Sequence, residues 1–237
     1  MILSPIHTKS AHLIWQSPLG AGLSRRRLPV ALMRASDDGT GVSFEYLRDT
    51  PEFETAVSEG FTGYTGIPLD RVDTSDAINT LRRRLLMPER PDYNAYLERS
   101  GLNVEHGLST LSLLAYTGAK LTSDSFSVSD TFEGFDRSFQ YIFEVAGRRH
   151  YVESTPSPQI GDTVIFRAEP DNLHDQNAVA MIDTEGNHFG YVNTCQAERV
   201  GQWLQVGSIT GHIFRENGRA AYPRLFVFAD VIPKLER

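Results

Sequence analysis

Residues 166–179 read Phe166-Arg167-Ala168-Glu169-Pro170-Asp171-Asn172-Leu173-His174-Asp175-Gln176-Asn177-Ala178-Val179. A strand-like run over 162–167 enters a polar loop that holds Pro170, Asn172 and Asn177. A second run over 178–182 leaves it, and Gly190-Tyr191-Val192 follows. Strand-length apolar runs separated by Pro, Asn and Asp predict a β domain with a polar, ligand-facing loop.

Working outward, the same signals continue. Residues 139–146 alternate Tyr141, Phe143 and Val145 inward and stop at Gly147. Strands are predicted over 162–167, 178–183 and 188–192, with a turn over 184–187. A helix is predicted over 195–205, with Asn193 or Thr194 as its cap and Ala197, Val200 and Leu204 inward. Closing strands over 207–215 and 223–232 flank a turn over 216–219. So many short strands around one helix suggest a small OB- or SH3-like barrel.

The first half has a different texture. Strands are predicted over 12–16, 28–34 and 42–47, the last two around a glycine-bearing hairpin turn over 36–41. Residues 1–10 read as a loosely held arm and 50–73 as loop-rich. Three helices are predicted over 75–87, 91–100 and 107–117, each with an apolar stripe and a Pro or Gly stop. Residues 123–137 read as an edge strand and linker. The fold class is therefore α+β: a small N-terminal β-sheet with three helices, then a small barrel with one or two helices. The domains are set at 1–136 and 137–237.

Composition narrows the function. The formal charge is −7, from 23 Lys and Arg against 30 Asp and Glu, and from residue 139 onward it is −3. Neither half is a basic module, so any nucleic-acid contact is local rather than spread over a broad patch. The one cysteine, Cys195, excludes an internal disulfide and a cysteine zinc cluster. With no signal peptide and no apolar run long enough to span a bilayer, a cytoplasmic protein is expected, with no membrane partner. Arg25-Arg26-Arg27 reads as a solvated strand edge before it reads as a phosphate contact. Trp15 and Trp203 read as core, and Cys195 as a small packed residue.

The second half resembles the HIRAN domain over residues 139–232. The resemblance rests on Gly161-Asp162, on Glu169-Pro170-Asp171-Asn172 with His174-Asp175 and Asn177-Ala178-Val179, and on Phe189-Gly190-Tyr191-Val192. It implies binding of single-stranded DNA at a 3′ end by a barrel-type domain. Transferred by position, the basic-aromatic pair falls on Arg149 and His150, the loop pair on His174 and Asp175, and the Gly-aromatic position on Tyr191. Tyr222 is a guess at a further aromatic wall. Bases need flat faces, which Tyr191, His150 and His174 offer. A 3′-hydroxyl needs an acceptor such as Asp175, and Arg149 suits a phosphate. The N–H groups that open the 195–205 helix offer a further anion contact. Asn193 and Thr194 stand where the family's DNA binders place a basic residue.

Simpler readings stay open beside these. Asp171, Asn172 and Asn177 read first as turn-formers, and Asp175 serves equally as a cap of its own loop. His174, Asp175 and Asp183 lack a second spaced histidine, so no metal or cofactor is expected.

Residues 25–118 resemble the N-terminal subdomain of the HipA family of toxin kinases. The matching residues are Phe44-Glu45-Tyr46, Gly66-Ile67-Pro68-Leu69 and Leu85-Leu86-Met87-Pro88. The resemblance implies contact with a partner protein and no catalysis, since no kinase body or phosphate loop is present. The expectation is a non-enzymatic bacterial or phage protein whose barrel recognises single-stranded DNA or a 3′ end. The alternative is a HipA-related, antitoxin-like adaptor without DNA binding.

Overall fold

The computed structural model describes residues 1–17, 26–37, 41–70, 76–135, 137–219 and 222–233, with the side chains of Arg219 and Tyr222 excepted. The chain forms two compact units, one of His7–Gly134 and one of Met1–Ile6 with Phe135–Arg237. The terminal arm is therefore not loose. Ile2 and Ile6 are buried, and Leu3 N–H donates to the Gln140 side chain at 2.6 Å within the second unit.

The first unit contains β1 (Ser10–Gln16), β2 (Arg27–Ala35), β3 (Val42–Tyr46) and α1 (Pro51–Ser58). A two-residue ribbon of β4 (Gly63–Tyr64) and β5 (Ile67–Pro68) follows, then α2 (Ala77–Arg82), α3 (Tyr93–Glu98), α4 (Thr110–Thr117) and β6 (Phe126–Asp130). The antiparallel sheet runs β3-β2-β1-β6, so β6 is the expected edge strand. Its core gathers Leu13, Trp15, Val30, Met33, Phe53, Phe61 and Leu114.

The helix α1 lies in the stretch expected to be loop. Thr50 caps it by accepting Phe53 N–H at 3.3 Å, Pro51 pre-sets its first turn, and Phe53 and Ala56 face inward. The other three helices are shorter than the periodicity suggested. α2 ends before Arg84, whose side chain is 1% exposed and held in a fork by Asp124 at 2.5 and 2.8 Å. The carbonyls of Ala119 and Phe126 and the hydroxyl of Tyr64 accept its remaining hydrogens at 2.8, 3.0 and 3.2 Å. A buried guanidinium persists only with such full pairing. The centre of the 36–41 turn and Arg25 lie outside the described residues, while Arg26 pairs with Glu59 at 3.2 Å.

The second unit contains β7 (Phe139–Glu144), a 3₁₀ turn (Arg148–His150), β8 (Thr163–Ala168), β9 (Val179–Ile182) and β10 (His188–Tyr191). The helix α5 (Thr194–Val206), β11 (Ser208–Arg219) and β12 (Tyr222–Ile232) complete it. One antiparallel sheet runs β10-β9-β8-β11-β12-β7 and curls into a half-barrel. Among the described residues, a bridge from Ala146 to Tyr191 joins its two edges. Phe139, Tyr141, Phe143, Val164, Phe166, Met181, Val227 and Val231 are buried, and each contributes about 1.5–3 kcal/mol. Trp203 of α5 packs edge-on against Phe139 at 5.2 Å. Residues 216–219 are not the expected turn. They continue β11 in register with β12, Asn217 opposite Arg224 and Arg219 opposite Tyr222.

Candidate nucleic-acid interface

The loop between β8 and β9 is pinned at its neck, where Glu169 N–H donates to Ala178 O at 2.8 Å. Inside it, Asn172 Oδ1 accepts the N–H groups of His174 and Asp175 at 3.0 and 3.3 Å. Asp175 Oδ1 accepts Asn177 N–H at 2.8 Å. Asn172 is thus a turn-former, and Asp175 caps its own loop with one oxygen. Among the described residues, Asp175 Oδ2 has no hydrogen-bond partner in the protein and stays available as an acceptor. His174 is exposed, and Leu173 before it is 97% exposed.

Tyr191 lies at the foot of this loop. Its hydroxyl donates to Glu169 Oε2 at 3.0 Å, and Asn172 Nδ2 reaches the same hydroxyl at 3.5 Å. Glu169 Oε1 accepts from Arg167 at 3.0 Å. Partial burial pushes the Glu169 carboxyl up, but hydrogen bonds from Arg167, Tyr191 and Asn172 outweigh it and leave the group below its ordinary value. The Tyr191 phenol is pushed well above its ordinary value, first by burial and then by hydrogen bonding with Tyr151 and Glu169.

Three rings meet here. Tyr151 stacks on His188 at 5.5 Å and 18°, and Tyr191 lies 6.2 Å from Tyr151 and 5.9 Å from His188. His188 and Tyr191 share a face because a bulge separates them, with His188 opposite Ile182 and Tyr191 opposite Ala180. Arginine has only donors, so the 3.1 Å contact from Arg167 to His188 Nε2 makes that nitrogen an acceptor.

Arg149 and His150 lie on the 3₁₀ turn that opens at Gly147, with φ +74°. They contact each other, Arg149 Nε donating to His150 Nε2 at 3.1 Å. Among the described residues neither makes a hydrogen bond or ring contact with Tyr191, His174 or Asp175. The turn is fixed against β10 through Thr155, whose hydroxyl lies 3.0 Å from His188 O and also bonds Tyr151 O. Arg148, the neighbour that sequence reasoning passed over, is 3% exposed and lies over the Phe189 ring at 5.7 Å.

The structure therefore brings Tyr191 to the loop of His174 and Asp175 through Asn172 and Glu169, and joins Arg149 and His150 by the shared turn. Tyr222 starts β12 opposite Arg219, and its side chain lies outside the described residues. Tyr151, His188, Arg167 and Glu169 were missed as site residues. The signals were present: Tyr151 directly follows His150, and Arg167 and Glu169 open the polar loop. Asn193 caps α5 by accepting Cys195 N–H at 3.2 Å. Among the described residues no helix is long and apolar enough to cross a membrane.

A family model for the HIRAN domain matches residues 138–225. No curated protein matches the chain. Among solved structures, the chain is similar to the HIRAN domain of human HLTF, at 20% identity and a TM-score of 0.36, over 41% of this chain and 78% of that one. It is also similar to a Lactobacillus plantarum protein, at 16% identity and a TM-score of 0.31, over 38% of this chain and 91% of that one. Residues 138–225 form a HIRAN domain, while the expected HipA likeness of the first half finds no support in these comparisons.

Proposed function

We propose that the HIRAN domain of this chain binds single-stranded DNA at its 3′ end and that the protein acts as a binding module rather than an enzyme. The observation that carries the reading is the clustering of the Tyr151, His188 and Tyr191 rings at the foot of the loop that presents His174 and Asp175. Tyr151 and Tyr191 supply stacking surfaces for the terminal bases, with His150 and His174 as outlying planes. Asp175 Oδ2 accepts the 3′-hydroxyl. Arg149 holds a phosphate. Stacking dominates, which suits a chain whose net charge of −7 disfavours broad electrostatic binding.

The test is a fluorescence-anisotropy titration of the full chain with a 5′-labelled single strand at low ionic strength. Tyr191→Ala and Tyr151→Ala should each weaken binding by about 5- to 150-fold, the range of one lost stack of about 1–3 kcal/mol. No binding by the wild-type chain would overturn the reading in favour of the adaptor alternative.

A further inference from the structure

The outer face of the β11–β12 ribbon carries a row of rings and cations apart from the loop site. The Arg215 guanidinium lies 3.6 Å from the centre of the Phe226 ring, and that of Arg224 lies 5.1 Å from the same ring. His212 stacks on Phe228 at 4.9 Å and 25°. A bulge between Ile213 and Arg215 puts His212 opposite Phe228 and Arg215 opposite Phe226, so both cover one face. Phe226 and Phe228 are 7% and 6% exposed, and the solvent meets His212, Arg215 and Arg224 instead.

This row adjoins the loop site through β7. Arg224 pairs with Glu144 at 3.0 Å, and two residues further on Ala146 is bridged to Tyr191. Three strand-to-strand steps separate Tyr191 from β11, about 14 Å at a strand spacing of about 4.8 Å.

We infer that Arg224, Arg215 and His212, laid over Phe226 and Phe228, form the second segment of a single-stranded nucleic-acid path that holds nucleotides inboard of the terminal ones. The inference rests on the end-binding reading above. A guanidinium or imidazole backed by a ring has its plane fixed, which suits stacking on a base. Arg224 gives its Nε to Glu144, and its terminal N–H groups suit a phosphate oxygen. The occupant must combine flat apolar faces with negative charge, and a single strand does so. A cation laid on a ring also shields that ring from water, and the experiment separates the two roles.

Strands of about four and about twelve nucleotides with 3′-hydroxyl ends fall at the bottom and within the upper part of the range of site sizes of barrel-type binders, about 4–16 nucleotides. The wild-type chain should bind the longer strand about tenfold more tightly. Its affinity should fall more steeply with salt, by about 1.4 in logarithmic slope for two added phosphate contacts. Arg215→Gln with His212→Ser should bring the longer strand down to the affinity of the shorter one. Arg215→Lys, which keeps the charge and loses the plane, should fall between. Equal wild-type affinities for the two lengths would overturn the strip and leave end binding standing, and that comparison needs no variant. Equal weakening of both lengths by the double variant would also overturn the strip. Failure to bind either length at low salt is the failure of the end-binding reading, and the strip falls with it.

Discussion

The Tyr191 hydroxyl donates to Oε2 of Glu169 at 3.0 Å, and the other oxygen of that carboxylate accepts from Arg167 at 3.0 Å. One acidic side chain thus fixes a ring on β10 and a cation on β8. Its effect on Tyr191 is measurable. Burial and the hydrogen bonds with Tyr151 and Glu169 raise the phenol above its ordinary value of 10.0. Its contribution to stability is therefore present below that value and lost as pH rises through the folded-state value. An ultraviolet difference titration should show a tyrosine ionising later in the wild type than in Glu169→Gln, which keeps an acceptor and removes the charge. Superimposable curves would contradict the contact.

Gly190 is fixed by its surroundings. Its φ is +141°, and a Cβ there would lie 2.3 Å from Ala146 O and 2.7 Å from Val145 Cγ1. Ala146 O is the acceptor for Tyr191 N–H in the bridge that joins the sheet edges, so it cannot move without breaking that bridge. Gly190→Ala should cost about 2 kcal/mol or more, from strain and overpacking together. Urea denaturation followed by Trp203 fluorescence checks this. An unchanged midpoint would refute the close approach.

Asp130 gives the first unit a pH dependence. The side chain is fully buried, accepts from Thr8 Oγ1 at 2.5 Å and from Phe132 N–H at 2.6 Å, and is pushed up from 3.8 to about 7 by burial that these bonds only partly offset. A carboxyl raised in the folded state stabilises most at low pH. That contribution is lost as pH climbs from about 4 to about 7, by up to about 4 kcal/mol. Asp130→Asn keeps an acceptor for Phe132 N–H, turns the Thr8 bond round so that the amide donates to Thr8 Oγ1, and should flatten the stability profile across that window. A wild-type profile that already rises from pH 4 to 7, with the variant parallel to it, would count against the assignment.

The strands of the barrel were legible because alternation and turn residues coincide there. The strand expected over 139–146 is β7 (Phe139–Glu144), and that expected over 188–192 is β10 (His188–Tyr191). The ends of β11 were not legible, since Glu216, Asn217 and Gly218 look like a turn yet keep their pairing with β12. In the first unit α1 went unseen behind nearby glycines and prolines, although Thr50-Pro51 is itself a helix-start signal.

The site was legible in part, and its limits have one physical cause. Period-two alternation puts positions 188 and 191 on opposite faces, as it does 212 and 215. A bulge in each strand brings each pair onto one face, and no side-chain pattern announces a bulge. Tyr191, His174 and Asp175 could be named from their motif, while the partnership of Tyr191 with His188 and Tyr151 needed the backbone.

The most direct test of end recognition compares one short single strand ending in a 3′-hydroxyl with the same strand ending in a 3′-phosphate. Asp175 Oδ1 is occupied by Asn177 N–H. In the proposed binding mode Oδ2 accepts the terminal hydroxyl, and a phosphate there would bring two like charges together. The hydroxyl strand should bind at least about tenfold more tightly, a difference of about 1.4 kcal/mol. Asp175→Ala should abolish the preference. Equal affinity of the wild-type chain for the two strands would contradict 3′-end recognition by this loop.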